Sequence, residues 1–98
     1  MKDDASTKPL FRPGKILATP GALDLLERTG TGPFLLLHRH CRGDWGTVCD
    51  EDAAANSQAI LVGNRILSAY DLGNEPERVW VITEADRSAT TLLLPCEN

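Results

Sequence analysis

The residues best suited to chemistry lie in three short segments, and the first of these could bind a metal ion. His38, His40 and Cys41 are close together, and Cys49 and Cys96 add two further thiols. A structural zinc ion needs four such ligands in a tetrahedron, usually supplied as two closely spaced pairs. The sequence has no C-x₂-C or H-x₃-H pair, and on one helix His38 and His40 would point about 200° apart. We therefore predict no metal site and no cofactor.

The second segment is a charged turn over residues 83–88 that could carry out acid–base chemistry. Its charged side chains and two from the preceding half of the chain form the set Glu84, Asp86, Arg87, His40 and Asp44. General acid–base catalysis requires a carboxylate or imidazole within hydrogen-bonding distance of the reacting proton. The simpler interpretation is a surface turn, in which Asp86 accepts hydrogen bonds from backbone amides. In that turn Glu84 would pair with Arg87 or Arg65.

The third segment is the tetrapeptide Gly43-Asp44-Trp45-Gly46, which places a large aromatic ring between two glycines. A Trp in such a turn can anchor a partner protein or a ligand. It can equally fill the core, with its indole N–H bonded to a backbone carbonyl, and the low aromatic content of the chain favours the core. Together the three segments give the candidate binding residues His40, Asp44, Trp45, Arg65, Glu84, Asp86 and Arg87.

The composition argues against several classes of function. The chain has 98 residues, a size typical of one domain, and its formal net charge is −4. Non-specific nucleic-acid binding depends on clustered Lys and Arg, which are spread thinly here, so we expect another protein as the partner. No G-x-S-x-G, P-loop or H-E-x-x-H motif is present, so no reaction is specified.

The N-terminal sequence and the apolar runs indicate a cytoplasmic protein. Residues 1–4 include two aspartates, and no apolar signal segment follows them. Apolar runs such as 34–37 and 92–94 are too short to span a membrane. The cysteines lack the spacing of a disulfide framework, so we expect them to be reduced.

The elements that must position these residues begin with a helical first half. Residues 1–13 are polar and interrupted by prolines, which predicts a disordered or loosely docked tail. Residues 15–18 are compatible with a short edge strand. Thr19 is a suitable N-cap and Pro20 a suitable first residue for a helix that ends at Gly30. The apolar stripe of this helix is Ala22, Leu25 and Leu26.

Two more helices are predicted before the chain changes period. One begins near Pro33 and ends at Gly43. The other has Asp50 as its N-cap and ends at Gly63. The inward side chains predicted for the earlier helix are Phe34, Leu37 and Cys41. Those predicted for the later one are Ala53, Ser57, Ile60 and Leu61, with Asn56 on the flank.

From residue 65 onward the pattern is that of β-strands. The strands predicted are 66–72, 78–84 and 89–94, separated by a hairpin loop at 73–77 and a turn at 85–88. The middle strand is apolar on both faces, so we place it at the centre of the sheet. The predicted fold is α+β, with three helices on one face of a three-stranded antiparallel meander. It forms a single domain over residues 14–98, with room for the N-terminal edge strand.

Three stretches of the sequence resemble a family of small proteobacterial proteins. They are Arg39-His40 with Gly43-Asp44-Trp45-Gly46, residues 63–70 (GNRILSAY) and residues 79–95 (VWVITEADRSATTLLLP). The resemblance extends from about residue 19 to residue 95. It implies a bacterial, intracellular protein that is plasmid-related in some members, and it implies no particular activity.

These observations favour a non-enzymatic protein-interaction or regulatory module of a bacterial, mobile-element-associated system. Binding would use an exposed sheet edge or the region of Trp45. An exposed edge is also compatible with a homodimer.

Two enzymatic alternatives stay open at this point. A small messenger-RNA-cleaving toxin of the RelE/ParE type has the same order of elements, and a positive groove would support it. The three arginines of that groove would be Arg65, Arg78 and Arg87. A small hydrolase using Glu84, Asp86 and His40 is the other alternative, and it requires those side chains to meet in one pocket.

Overall fold

The computed structural model describes residues 8–98, and a four-stranded mixed sheet forms its centre. The strands, in chain order, are β1 (Lys15–Ala18), β2 (Ile66–Leu72), β3 (Glu77–Thr83) and β4 (Ala89–Leu93). Their spatial order is β1-β4-β3-β2, with β2, β3 and β4 antiparallel and β1 parallel to β4. The predicted meander is therefore only part of the sheet. β3 has a partner strand on each side, which agrees with the central position predicted for it.

β1 joins the sheet through backbone hydrogen bonds with β4. The N–H of Lys15 donates to the carbonyl of Ser88, and the N–H of Thr19 donates to the carbonyl of Leu92, both at 3.0 Å. A parallel partner this distant in sequence leaves no local signal. The edge strand predicted over residues 15–18 is present as β1, whereas its parallel pairing with β4 extends the sheet beyond the predicted meander.

Three helices precede the meander: α1 (Pro20–Thr29), α2 (Pro33–Cys41) and α3 (Asp50–Val62). α1 begins and ends where it was predicted. The hydroxyl of Thr19 accepts a hydrogen bond from the N–H of Ala22 (3.2 Å), and Gly30 takes the left-handed conformation that ends the helix. α1 and α2 pack on one face of the sheet. Their shared core is Ala22, Leu25, Leu26, Leu36, Leu37, Tyr70, Leu72, Val79, Val81 and Leu92.

The inward face of α2 differs from the prediction. The buried side chains are Leu36, Leu37, His40 and Cys41, while Phe34 is 73% exposed. Four consecutive apolar residues cover most of the circumference of a helix, so the sequence alone does not fix which of them point inward. Contacts with β3 and with α1 decide the rotation.

The inward face of α3 is also rotated relative to the prediction. Asn56 and Ala59 are buried, whereas Ser57 and Leu61 are exposed. Cys49 rather than Asp50 is the N-cap, so the start is shifted by one residue. α3 lies beside β2, in a second small core that contains Phe11, Cys41, Trp45, Ala59 and Ile66.

The N-terminal segment contacts the rest of the domain from Leu10 onward, in the region where a disordered or loosely docked tail was predicted. Phe11 is buried, and the N–H of Leu10 donates to the carbonyl of Cys41 (2.7 Å). The carbonyl of Pro13 accepts a hydrogen bond from the hydroxyl of Thr90 (2.7 Å). Residues 1–7 lie outside the described part of the chain.

The helices of residues 8–98 are short. None of them is long and apolar enough to cross a membrane. The longest, α3, has 13 residues, against the roughly 20 that a bilayer requires.

Candidate functional site

His40 is fully buried at the centre of a chain of hydroxyl groups. Its Nδ1 lies 2.6 Å from the hydroxyl of Ser68, and its Nε2 lies 2.9 Å from that of Thr83. The Thr83 hydroxyl is 2.6 Å from that of Thr90, which donates to the carbonyl of Pro13. This series of hydrogen bonds thus connects α2, all three strands of the meander and the N-terminal segment.

Only one arrangement of protons satisfies every bond in this chain. The carbonyl at one end can only accept, so Thr90 uses its single proton there and must accept from Thr83. Thr83 has then used its own proton, so Nε2 of His40 must carry one and donate it. Nδ1 is left as an acceptor for the hydroxyl of Ser68. The ring is therefore neutral, and a second ring proton would break the chain at Ser68.

The surroundings of His40 keep it neutral and out of contact with solvent. The rings of Phe11 and Trp45 stand edge-on to it, with centroids 5.2 and 6.0 Å away. Burial and, to a smaller extent, the positive charge of Arg87 together lower the pKa of His40 from its usual 6.5 to about 4. A histidine with both nitrogens occupied and no exposed surface is a structural group rather than an accessible base.

Trp45 is part of the core, as one of its two interpretations predicted. It is buried, and its ring stacks on Phe11 with centroids 6.4 Å apart. The preceding residue, Asp44, remains exposed and forms an ion pair with Arg39 (2.7 Å), which lowers the pKa of the Asp44 carboxyl. The carbonyl of Asp44 also accepts the Tyr70 hydroxyl (2.6 Å), so this turn is firmly attached to β2.

Arg87 binds the protein's own backbone. One terminal nitrogen of its guanidinium donates to the carbonyls of Asn64 (2.7 Å), Glu84 (3.1 Å) and Ala85 (3.3 Å), and the other donates to that of Ala59 (3.0 Å). The group therefore caps the C-terminal end of α3 and fastens the β3–β4 turn to it. Its backbone has a positive φ of 62°, a conformation that costs a non-glycine residue energy and that these bonds hold in place.

The other charged residues of the turn are exposed and do not converge on His40. Asp86 accepts the N–H of Ser88 (2.9 Å), which is the backbone bond predicted for a surface turn. Thr83 points toward His40, and side chains alternate along a strand, so Glu84 points to the opposite face of the sheet. Glu84 and Asp86 line a shallow depression of about 390 Å³ with Ala85 and Ser88. Glu84 and Asp86 thus lie at the exposed turn and His40 lies in the core, so the three candidate hydrolytic residues do not share a pocket.

The three arginines of the nuclease alternative are also separated. Arg78 pairs with Asp71 (3.0 Å) at the far end of β2, while Arg65 precedes the first residue of that strand. Seven residues of extended strand span roughly 20 Å. Arg87 is engaged by the carbonyls described above. Arg65 is exposed and is therefore the one of the three whose charge is directed to solvent without an ion pair or a set of backbone acceptors in the described structure.

The outer edge of β2 is closed by groups that imitate a neighbouring strand. The side-chain amide of Asn56 donates to the carbonyl of Leu67 (2.6 Å) and accepts its N–H (3.0 Å). Two residues further along, the N–H of Ala69 donates to Trp45 (3.0 Å), and the carbonyl of Ala69 accepts the N–H of Thr47 (2.7 Å). The backbone groups of residues 67 and 69 on this edge are therefore already paired within the chain.

Exposed apolar side chains occur on α1 and at the start of α2. Leu23, Phe34 and Leu35 are 54%, 73% and 58% exposed, and we call them the α1–α2 surface. Leu23 also lines an open depression of about 540 Å³, together with Leu26, Glu27, Gly30, Thr31, Gly32 and Pro33. Sequence analysis missed this surface. The signal was the run 34–37, since a helix packed on one side must turn part of such a run toward solvent.

Within residues 8–98, no group of three or more His, Cys, Asp or Glu side chains is placed to hold a metal ion. Cys41 is buried, and burial raises the pKa of its thiol, while Cys49 and Cys96 are exposed. A comparison of the chain with protein-family models, curated proteins and solved structures finds no match. The function must therefore be inferred from the geometry of this chain.

Proposed function

We propose that the protein is a non-enzymatic binding module that docks another protein on the α1–α2 surface. The observation that carries this proposal is the exposure of Leu23 on α1 and of Phe34 and Leu35 at the start of α2. Leu23 also lines one open, mostly apolar depression, which extends to Pro33, the residue before Phe34. Contiguous apolar patches on a folded monomer commonly mark interaction sites. Fully burying a Leu or Phe side chain is worth about 1.5–3 kcal/mol. Leu23, Phe34 and Leu35 are each more than half exposed. A partner that covers these side chains therefore gains a substantial free energy of binding.

The chemistry of the rim indicates what the partner presents. Glu27 is the one charged residue among those that line the depression. The chain as a whole is acidic, with a formal net charge of −4. A partner segment with apolar side chains for the depression and a Lys or Arg beside them is complementary to this surface. We propose a segment of that kind as the ligand.

The two enzymatic alternatives have less support from the geometry. A hydrolase needs His40 in contact with substrate, and His40 has no exposed surface and two occupied ring nitrogens. A ribonuclease toxin needs a positive groove, and Arg78 and Arg87 are already engaged by an acidic side chain and by carbonyls. Neither alternative makes use of the α1–α2 surface.

Two matched double variants test the proposal. Phe34→Ser with Leu35→Ser removes the apolar groups of the surface, and Leu61→Ser with Val62→Ser removes two comparably exposed groups at the end of α3. Nuclease-treated lysate of the bacterium that encodes the chain supplies a candidate partner. That partner is then purified and titrated calorimetrically with the wild type and both variants.

We expect the wild type and the α3 variant to bind one partner with the same affinity. The Phe34/Leu35 variant should bind at least about tenfold more weakly, since a loss of 1.4 kcal/mol is already tenfold. Equal binding by both variants would place the interface elsewhere and refute the proposed site. Cleavage of RNA by the purified wild type would refute the non-enzymatic role.

A further inference from the structure

The two edges of the sheet differ in whether their outward backbone groups have hydrogen-bond partners. The outer edge of β2 is closed by Asn56 and by residues 45–47, as described above. On the other side, β1 is hydrogen-bonded to β4 alone among the strands of the described structure. Natural proteins normally protect such an edge, because unpaired N–H and C=O groups attract another strand.

The groups that β1 presents outward follow from its pairing. The N–H groups of Lys15 and Thr19 point toward β4. Alternation along the strand therefore directs the N–H and C=O groups of Ile16 and Ala18 away from the sheet. The side chains of Ile16 and Leu17 are 38% and 44% exposed. The edge is thus both polar along its backbone and apolar on its side chains.

From this edge we infer a homodimer in which β1 pairs antiparallel with β1 of a second copy around a two-fold axis at Leu17. In an antiparallel pair, residues with outward backbone groups must face each other. Ile16 then faces Ala18 of the second copy, and each such pair exchanges both of its hydrogen bonds. The two Leu17 side chains meet on the axis, on the sheet face opposite the helices. The two sheets become one.

The same register brings opposite charges together at both ends of the pairing. Lys15 faces Thr19 of the second copy, and facing residues of an antiparallel pair point to the same side. The hydroxyl of Thr19 donates to the carboxylate of Glu97 at 2.5 Å. The ammonium of each Lys15 therefore comes near the Glu97 carboxylate of the other copy. This charge complementarity favours a second copy over an unrelated strand.

The fold leaves room for this pairing. α1 leaves the end of β1 and crosses over β4, β3 and β2, which carries it away from the outer edge. The paired segment has four residues, so the contact is small and belongs to the weak, concentration-dependent class of interfaces. The pairing uses the backbone edge of β1 rather than the apolar side chains of the α1–α2 surface, so this inference does not depend on the proposed function.

Sedimentation velocity over micromolar to millimolar protein concentrations tests the inference with a matched pair of variants. Leu17→Lys places two like charges on the two-fold axis, and Leu61→Lys makes the same change at an exposed leucine of α3. We expect the average mass of the wild type and of Leu61→Lys to rise toward that of a dimer. Leu17→Lys should dimerise more than about tenfold less tightly, because facing like charges repel.

A charge exchange tests the register. Lys15→Glu and Glu97→Lys should each weaken dimerisation, and the double variant should restore it toward the wild-type level. Glu97 also accepts the N–H of Gly21 (3.1 Å) in the first turn of α1. Circular dichroism therefore checks that each variant is folded, and restoration by the double variant cannot come from that contact.

Three results would overturn the inference. They are a wild type that stays monomeric at all concentrations, a dimer that Leu17→Lys leaves intact, and a double variant no better than the single ones. Binding of an extended foreign peptide to a β1 that does not self-associate would assign the edge to another protein.

Discussion

Lowering the pH tests the hydrogen-bond arrangement around the buried His40. The hydroxyl groups bonded to its ring cannot accommodate a second ring proton. The folded-state pKa of His40 is about 4, below the usual 6.5, and burial is the main cause. Between these two values the unfolded chain binds a proton at this residue and the folded one does not. The stabilisation from neutral His40 is therefore fully present above pH 6.5 and is lost as the pH falls toward 4.

The size of the effect follows from the difference in pKa. A shift of this size corresponds to about 3 kcal/mol in the free energy of unfolding when the pH is lowered through both values. About 2 kcal/mol of this is lost between pH 7.5 and pH 5. The carboxyls with lowered pKa, such as Asp44 and Glu77, act in the same direction, but at pH values nearer to 4 and below. The interval from pH 7.5 to 5 therefore reports chiefly on His40.

Urea unfolding at pH 7.5 and pH 5 measures the effect, with His40→Gln as the variant that cannot take up the proton. The wild type should lose about 2 kcal/mol more than the variant over this interval. If the variant does not fold, the ring resonances of His40 in the wild type supply the same information by NMR. They should stay unchanged down to pH 5.

Equal losses for the wild type and His40→Gln would refute the reasoning. So would a His40 ring that takes up a proton near its ordinary pKa while the protein remains folded. Either result would mean that Ser68 or a neighbouring group accommodates the charged ring.

The remaining predictions concern groups that bind backbone atoms. Asn56→Ala leaves the N–H and carbonyl of Leu67 without their partner, and urea unfolding should show a loss of about 1–3 kcal/mol. A loss below about 0.5 kcal/mol would mean that water replaces the amide. Arg87→Lys keeps the charge but lacks the several N–H donors of a guanidinium, so it should lower the free energy of unfolding by about 1–3 kcal/mol. Arg65→Lys, at an exposed site, should change that free energy by less than about 0.5 kcal/mol. Similar effects at the two arginines would contradict the capping role of Arg87.

The parts of the fold that depend on local signals were predictable. The Thr19 cap, the Gly30 end of α1 and the two turns of the meander each involve residues close in sequence. The parallel pairing of β1 with β4 was not predictable from such signals. It joins Lys15 to Ala89, and only the complete tertiary structure brings those residues together.

The rotation of α2 and α3 was predicted wrongly for a related reason. Asn56 was placed on the flank because it is polar, yet it is buried because the edge of β2 needs a partner for Leu67. His40 is likewise buried by hydroxyls that lie far away in sequence. Polar burial depends on partners that a helical period does not reveal.

The candidate binding residues were drawn from residue types suited to chemistry, and the structure assigns most of them other tasks. Arg87 caps a helix, His40 joins strands and Trp45 fills the core. The residues of the α1–α2 surface were overlooked because exposed apolar side chains carry no motif. Their exposure became evident only once the rotation of α2 was known.

The pairing of the first strand with the last has a consequence for how the chain is made. β1 is synthesised well before its partner β4, and the carboxylate of Glu97 lies 78 positions beyond Thr19. β1 and the segment around Phe11 therefore wait without their native contacts while the helices and the first hairpin form. Contacts this distant in sequence also close slowly. The pairing of β1 with β4 is accordingly expected among the late steps of folding, after the hairpin of β2 and β3 has formed.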